Sequence, residues 1–112
     1  MKIVELIIDA YKCKGDIHND KLLLKTLIKA AKKVNAKIVD KFVHKYKPYG
    51  ITVGVLLAES HISMYTWPEF KMVVIEIFLC NEKMNPYEAW KVIEEVILPE
   101  NKKIKKFIHH IR

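Results

Sequence analysis

Three features of the chain predict an α+β fold, a two-layer sandwich in which an antiparallel sheet carries two helices on one face. Two stretches show helical spacing of apolar residues, from about residue 20 to 34 and from 86 to the residue before Pro99. The rest runs in short Val- and Ile-rich segments broken by turn residues. The resulting order of strand, helix, several strands, helix and strand suits an antiparallel sheet better than repeated parallel crossovers. With 112 residues the chain is expected to be one domain, 1–112, with room for a single core.

Lys2–Tyr11 (KIVELIIDAY) fits a first strand. Asn19-Asp20 offers an N-cap, after which Leu23, Leu24, Leu27, Ile28, Ala31 and Val34 recur on one helical face. Ala36–Tyr46 reads as extended with imperfect alternation, and Lys47-Pro48-Tyr49-Gly50 closes it as a turn. Ile51–Ala58 and His61–Thr66 are two short strands flanking Glu59-Ser60, and Lys71–Cys80 is the clearest strand. Asn85-Pro86 opens the second helix with proline at its first position, and Tyr87, Trp90, Ile93 and Ile97 share a face. Pro99 ends that helix, leaving Lys103–Ile111 as the expected last strand.

Parity along Lys71–Cys80 separates two faces. Val73, Ile75, Ile77 and Leu79 form an aliphatic row suited to the helices, and Met72, Val74, Glu76, Phe78 and Cys80 form the other. That second row is too apolar for water yet carries a carboxylate and a thiol. A sheet covered on both sides in so short a chain calls for a partner sheet, so a homodimer with an αββα arrangement is expected. After Ser60, the residues His61, Ser63, Tyr65 and Trp67 fall on one face, a polar and aromatic row fit to line a site.

Composition excludes several classes. Hydrophobic residues are 51% and charged residues 29%, with only three Gly and four Pro, so neither a low-complexity nor a collagenous chain is in view. No apolar run approaches the roughly 18 residues of a membrane span, and MKIVELIIDAYK lacks the unbroken apolar core of a signal peptide. A cytoplasmic location is expected. Cys13 and Cys80 are too few for a disulfide framework, and no Cys or His spacing offers a metal site; His109-His110 point to opposite faces of a strand. The net charge of +7 is spread over Lys29, Lys32, Lys33, Lys102, Lys103, Lys105, Lys106 and others. Without interleaved aromatics or a known motif, this argues for a lysine-rich surface of the thermophile kind rather than for nucleic-acid binding.

One hairpin remains odd. LAESHISMYTWPE (Leu57–Glu69) places Glu59-Ser60-His61 between two strands where Asn-Gly or Asp-Gly would turn more easily. At these residues the chain resembles the short prokaryotic class of S-adenosylmethionine decarboxylase, pyruvoyl-dependent enzymes of polyamine synthesis. The likeness takes in Asp9, Tyr11 and Cys13, then His44-Lys45-Tyr46-Lys47-Pro48 before Gly50. It continues with Ala58-Glu59-Ser60-His61 through Thr66-Trp67-Pro68-Glu69, and with Ile77-Phe78-Leu79-Cys80.

The resemblance implies self-cleavage between residues 59 and 60. Ser60 Oγ attacks the Glu59 carbonyl to turn the amide into an ester, β-elimination breaks the chain, and hydrolysis leaves a pyruvoyl group and ammonia. The products would be a β chain, 1–59, and an α chain, 60–112. The pyruvoyl cofactor, with no metal and no pyridoxal phosphate, would form a Schiff base with the amine of S-adenosylmethionine and act as electron sink. Cys80 would then protonate the α-carbon, since a thiol holds a proton it can give up near neutral pH. Tyr46 takes the place of an aromatic that stacks on adenine, Trp67 lies in the pocket segment, and Glu69 is suited to ribose hydroxyls. Cys13 keeps a packing role. The implied product is the aminopropyl donor for spermidine, made by a homodimer of cleaved αβ pairs.

One departure stands out. The resembled family has histidine, associated with self-processing, where this chain has Tyr65, and a phenol is a weaker base than imidazole at neutral pH. Thr52 replaces a frequent serine and keeps a hydroxyl, while His61 occupies a different place from the missing histidine. Two alternatives therefore accompany the decarboxylase reading. One is a non-cleaving, non-enzymatic paralogue; the other is an arginine or ornithine decarboxylase of the same family.

Overall fold

Alternation of aliphatic residues dictates which side of the sheet the helices cover. The computed structural model describes residues 1–112 throughout. Its elements are β1 (Lys2–Cys13), α1 (Asp20–Lys33), β2 (Ile38–Lys45), β3 (Ile51–Leu57), β4 (Ser60–Trp67), a 3-10 turn at Pro68–Phe70, β5 (Met72–Leu79), α2 (Pro86–Ile97) and β6 (Pro99–His110). All strand pairs are antiparallel in one sheet of order β2-β3-β4-β5-β1-β6. The α+β sandwich expected from the element order is what the chain forms.

Both helices begin at the caps the sequence offers. Asn19 Oδ1 accepts from Leu22 N–H at 3.0 Å, and Asn85 Oδ1 accepts from Tyr87 N–H at 3.0 Å, with Pro86 needing no partner. Each such cap contributes about 1 kcal/mol. Burial of a Leu or Ile side chain contributes about 1.5–3 kcal/mol, so the 25-residue core decides the fold. Leu6, Ile8, Val53, Val55, Ile62, Met64, Ile75 and Ile77 from the sheet meet Leu23, Leu27, Ala30 and Ala31 of α1 and Ala89, Trp90, Ile93 and Ile97 of α2.

Two expectations are corrected. The last strand starts at Pro99, not near Lys103, because Leu98 adopts the left-handed conformation (φ 49°, ψ 63°) and reverses the chain at once. Tyr87 does not share the buried face of α2; it stays 37% exposed while Ala89 and Val92 are buried. The edges differ in character. β2 is exposed along nearly its whole length, and β6 carries Lys102, Lys103, Lys105 and Lys106, charges that discourage further edge pairing.

Opposite the helices lies an open face. Thr52, Gly54 and Leu56 of β3, His61, Ser63, Tyr65 and Trp67 of β4, and Met72, Val74, Glu76 and Phe78 of β5 share it by register. Its carboxylates are internally matched: His109 Nε2 lies 3.0 Å from Glu5, Lys105 Nζ 3.0 Å from Asp9, and His61 Nε2 3.7 Å from Glu76. Phe42, Leu56 and Phe107 nevertheless remain 45–47% exposed.

Candidate active site

The Glu59-Ser60 bond lies in a two-residue turn. Leu57 pairs with Ser60, so Ala58 and Glu59 form the whole connection between β3 and β4. Glu59 is exposed and Ser60, at φ 157°, is nearly extended at the start of β4. Ser60 also pairs with Leu79 on its other side, which brings the end of β5 to the turn. There the Cys80 backbone N–H donates to the Glu59 carbonyl oxygen at 3.0 Å. A donor aimed at that oxygen polarises the carbonyl and would stabilise an oxyanion forming on it. Cys80, whose backbone makes that contact, is a free, half-buried cysteine.

The other expected residues gather at the far end of the sheet. Tyr46, Thr52, Tyr65, Trp67 and Glu69 line one cavity of about 270 Å³ with Tyr49 and Gly50. Tyr46 Oη and Thr52 Oγ1 are 3.0 Å apart, and the Tyr46 ring meets His44 edge-on at 4.6 Å. Gly50 makes the tight return possible: at φ +105° it suits no L side chain, and a Cβ would lie 3.5 Å from the Tyr46 ring. Trp67 stands exposed at the strand end and Glu69 on the turn that follows. The cavity thus has four aromatic side chains, those of Tyr46, Tyr49, Tyr65 and Trp67, two hydroxyls that already touch, and one carboxylate.

These two clusters do not meet within one chain. Ser60 and Trp67 bound the eight-residue β4, so about 23 Å of strand separates them at about 3.3 Å per residue. Tyr65 lies about 17 Å from Ser60 on the same reckoning. Sequence reasoning joined Ser60, Cys80, Tyr65, Tyr46, Trp67 and Glu69 into one site; the structure divides them between two ends of the sheet.

Between the ends runs a polar network not foreseen as such. Ser63 O–H donates to Tyr65 Oη at 3.4 Å, and Tyr65 O–H donates to Glu76 Oε1 at 3.4 Å. His61 stacks parallel to Phe78 with centroids 6.2 Å apart and faces the other Glu76 oxygen. Tyr49 of the cavity was also missed; its place in the Lys47–Gly50 turn gave a signal of turn chemistry only. Cys13 is buried, and that burial pushes its thiol up to about 11, partly offset by a hydrogen bond that the Val73 backbone gives to its sulfur. It packs in the core, as expected. No group of three or more His, Cys, Asp or Glu side chains converges, and no helix is long and apolar enough to cross a membrane.

Curated proteins and a solved structure similar to this chain carry the name of a decarboxylase. The S-adenosylmethionine decarboxylase proenzyme of Prochlorococcus marinus is 33% identical over 102 residues, covering 90% of this chain and 82% of that protein. The proenzyme of the same name from Moorella thermoacetica is 33% identical over 91 residues, covering 80% and 73%. The crystal structure of the adenosylmethionine decarboxylase from Aquifex aeolicus superposes with a TM-score of 0.80 at 28% identity, over 96% of this chain and 88% of that one. Residues 4–109 match the S-adenosylmethionine decarboxylase family, and the chain belongs to it.

Proposed function

We propose that the chain cleaves itself between Glu59 and Ser60, into residues 1–59 and 60–112, and then decarboxylates S-adenosylmethionine. The observation that carries this reading is the 3.0 Å hydrogen bond from Cys80 N–H to the Glu59 carbonyl, with Ser60 next in the chain. The relatives' names as proenzymes support it. Ser60 Oγ adds to the Glu59 carbonyl carbon, the Cys80 N–H holds the oxygen as it gains charge, and collapse leaves the Glu59 acyl group on Oγ. Elimination and hydrolysis then give the pyruvoyl terminus at residue 60, whose ketone supplies the electron sink for decarboxylation.

The remaining roles follow from position. Cys80, held next to the cleavage site by its own backbone N–H, would return a proton from its thiol to the substrate carbon. Tyr46, Tyr49 and Trp67 offer flat faces to adenine and to a cationic sulfonium, and Glu69 offers an acceptor to ribose hydroxyls. Thr52 fixes Tyr46 through its hydroxyl.

Those roles require two copies of the chain. A two-fold axis running across the strands, between two open faces packed about 10 Å apart, lays the Trp67 end of one sheet over the Ser60 end of the other. Each site then takes Ser60 and Cys80 from one protomer and Tyr46, Thr52, Tyr65, Trp67 and Glu69 from its partner. The exposed Phe42, Leu56 and Phe107 on that face would be covered in the same step. The αββα homodimer is thus part of the proposal. So are the supply of an aminopropyl donor for polyamine synthesis and a cytoplasmic setting, where the free Cys13 and Cys80 stay reduced.

Intact mass of the purified protein tests the reading. The expected result is two chains, the second carrying a ketone that reacts with hydrazines, and a single uncleaved chain for Ser60→Ala. A wild-type protein that stays whole through prolonged heating would support the non-enzymatic paralogue instead. If it cleaves, release of CO₂ from labelled S-adenosylmethionine against labelled arginine or ornithine identifies the substrate.

A further inference from the structure

We propose that Glu76 is the proton acceptor through which Tyr65 drives the elimination step of cleavage, so that a tyrosine–carboxylate pair serves where one imidazole would otherwise be needed. The proposal rests on the cleavage reading above. Register builds the pair. Ser63 lies directly opposite Glu76, which places Tyr65 and His61 on the two diagonals of the same face. Ser63 O–H donates to Tyr65 Oη and Tyr65 O–H donates to Glu76 Oε1, each at 3.4 Å, while Glu76 Oε2 faces His61 Nε2 at 3.7 Å.

The direction of these bonds matters. A neutral phenol that takes up a proton must release its own. Tyr65 has its hydrogen aimed at a carboxylate and keeps a lone pair for an incoming proton. In the ester, the Ser60 Cα proton passes to Tyr65 Oη as the phenolic proton passes to Glu76. The Cα–H electron pair becomes the Cα=Cβ bond, the Cβ–Oγ bond breaks, and Oγ leaves with Glu59 as the carboxylate end of the first chain. No oxidant, reductant or further reactant is required. Since its own Ser60 is about 17 Å away along β4, each Tyr65 acts on the Ser60 of the second copy. His61, half-buried against Phe78, faces the second Glu76 oxygen and borders the acceptor on its other side.

A plain packing network would look similar, with polar groups on a covered face satisfying one another. The two differ in which chemical step a substitution arrests. Glu76 is a positioning residue here, acting through Tyr65, so its loss should stall the reaction after the ester has formed. Hydroxylamine detects this, because it splits the ester into a 1–59 hydroxamate and a 60–112 fragment that still begins with Ser60, distinct in mass from the pyruvoyl chain.

Conversion would be followed by intact mass, with and without hydroxylamine, for wild type, Glu76→Gln, Tyr65→Phe, Tyr65→His and the double variant Tyr65→His/Glu76→Gln. Glu76→Gln and Tyr65→Phe should each slow conversion by at least about tenfold and accumulate hydroxylamine-sensitive ester. In the Tyr65→His background, Glu76→Gln should change the rate by less than about threefold, since imidazole needs no acceptor for its own proton. Equal slowing by Glu76→Gln in both backgrounds, a wild-type rate in Glu76→Gln, or a stall with no trappable ester would each overturn the relay while leaving cleavage in place. Failure of the wild type to convert at all would defeat both readings. Should Glu76→Gln fold poorly by its melting profile, Tyr65→Phe, which keeps the ring and loses only the hydroxyl, decides by the same ester criterion.

Discussion

The separation of Ser60 from the aromatic cavity makes a sharp prediction about subunits. Take one chain with Ser60→Ala and another with Trp67→Ala and Glu69→Ala. The first can form no ketone. The second loses a stacking partner, about 1–3 kcal/mol, and a charged hydrogen-bond acceptor, about 1.5–3 kcal/mol. Together, roughly 3–6 kcal/mol lowers kcat/KM by about 10²–10⁴, at about 1.4 kcal/mol per factor of ten. Trp67 and Glu69 are exposed, so the losses should fall on binding rather than folding. Co-expressed in equal amounts, half of the dimers pair one chain of each kind. One of the two sites in such a dimer receives Ser60 and Cys80 from the second chain and intact Trp67 and Glu69 from the first. Decarboxylation should therefore recover to about a quarter of wild type, and mass should show cleavage only of the chain that keeps Ser60. If both variants are dimeric by sedimentation and their mixture is no more active than the better one alone, the site is built within a single chain and the two-copy reasoning fails.

Three further outcomes follow. Cys80→Ala should leave cleavage nearly at wild-type rate, since the backbone N–H that holds Glu59 survives the substitution, but should lower turnover by about 10²–10⁴; equal loss of both would contradict the proton-donor role. Burial raises the Cys13 pKa from 9.0 to about 11. Between these values the native chain keeps a proton that the unfolded chain has lost, so its contribution is complete below pH 9 and falls by about 2–3 kcal/mol as pH rises through the folded value; urea unfolding at stepped alkaline pH should show a shallower decline for Cys13→Ala. Ile75→Ala, which empties a fully buried position under the helices, should cost about 2–5 kcal/mol, while Tyr87→Ala should stay within about 0.5 kcal/mol; a large cost for Tyr87→Ala would restore it to the buried face of α2.

Local rules made most of the fold legible. Asn19 and Asn85 announced both helix starts, and strict alternation from Val73 to Leu79 identified the face that the helices cover. The start of β6 was hidden because Pro99, Glu100, Asn101 and Lys102 look like loop residues, whereas an exposed edge strand tolerates proline and charge. The site was legible as a set of residues but not as a place. Chemistry grouped Ser60 with Tyr65, Trp67 and Glu69, and only strand length shows that β4 holds them apart. Glu76 stood in the sequence as an isolated carboxylate on an apolar row, with no partner inside its own strand. Its partners come from cross-strand register: Ser60 pairs with Leu79 and Trp67 with Met72, so position 76 must lie across from 63, with 61 and 65 on the diagonals. The buried row of Val73, Ile75, Ile77 and Leu79 pins that register, since a slip of one residue would expose all four and turn Glu76 toward the helices. The tyrosine that looked like a defect in the pattern is therefore tied to the core packing of the next strand: slip β5 by one residue, and Tyr65 loses the only carboxylate its hydroxyl reaches.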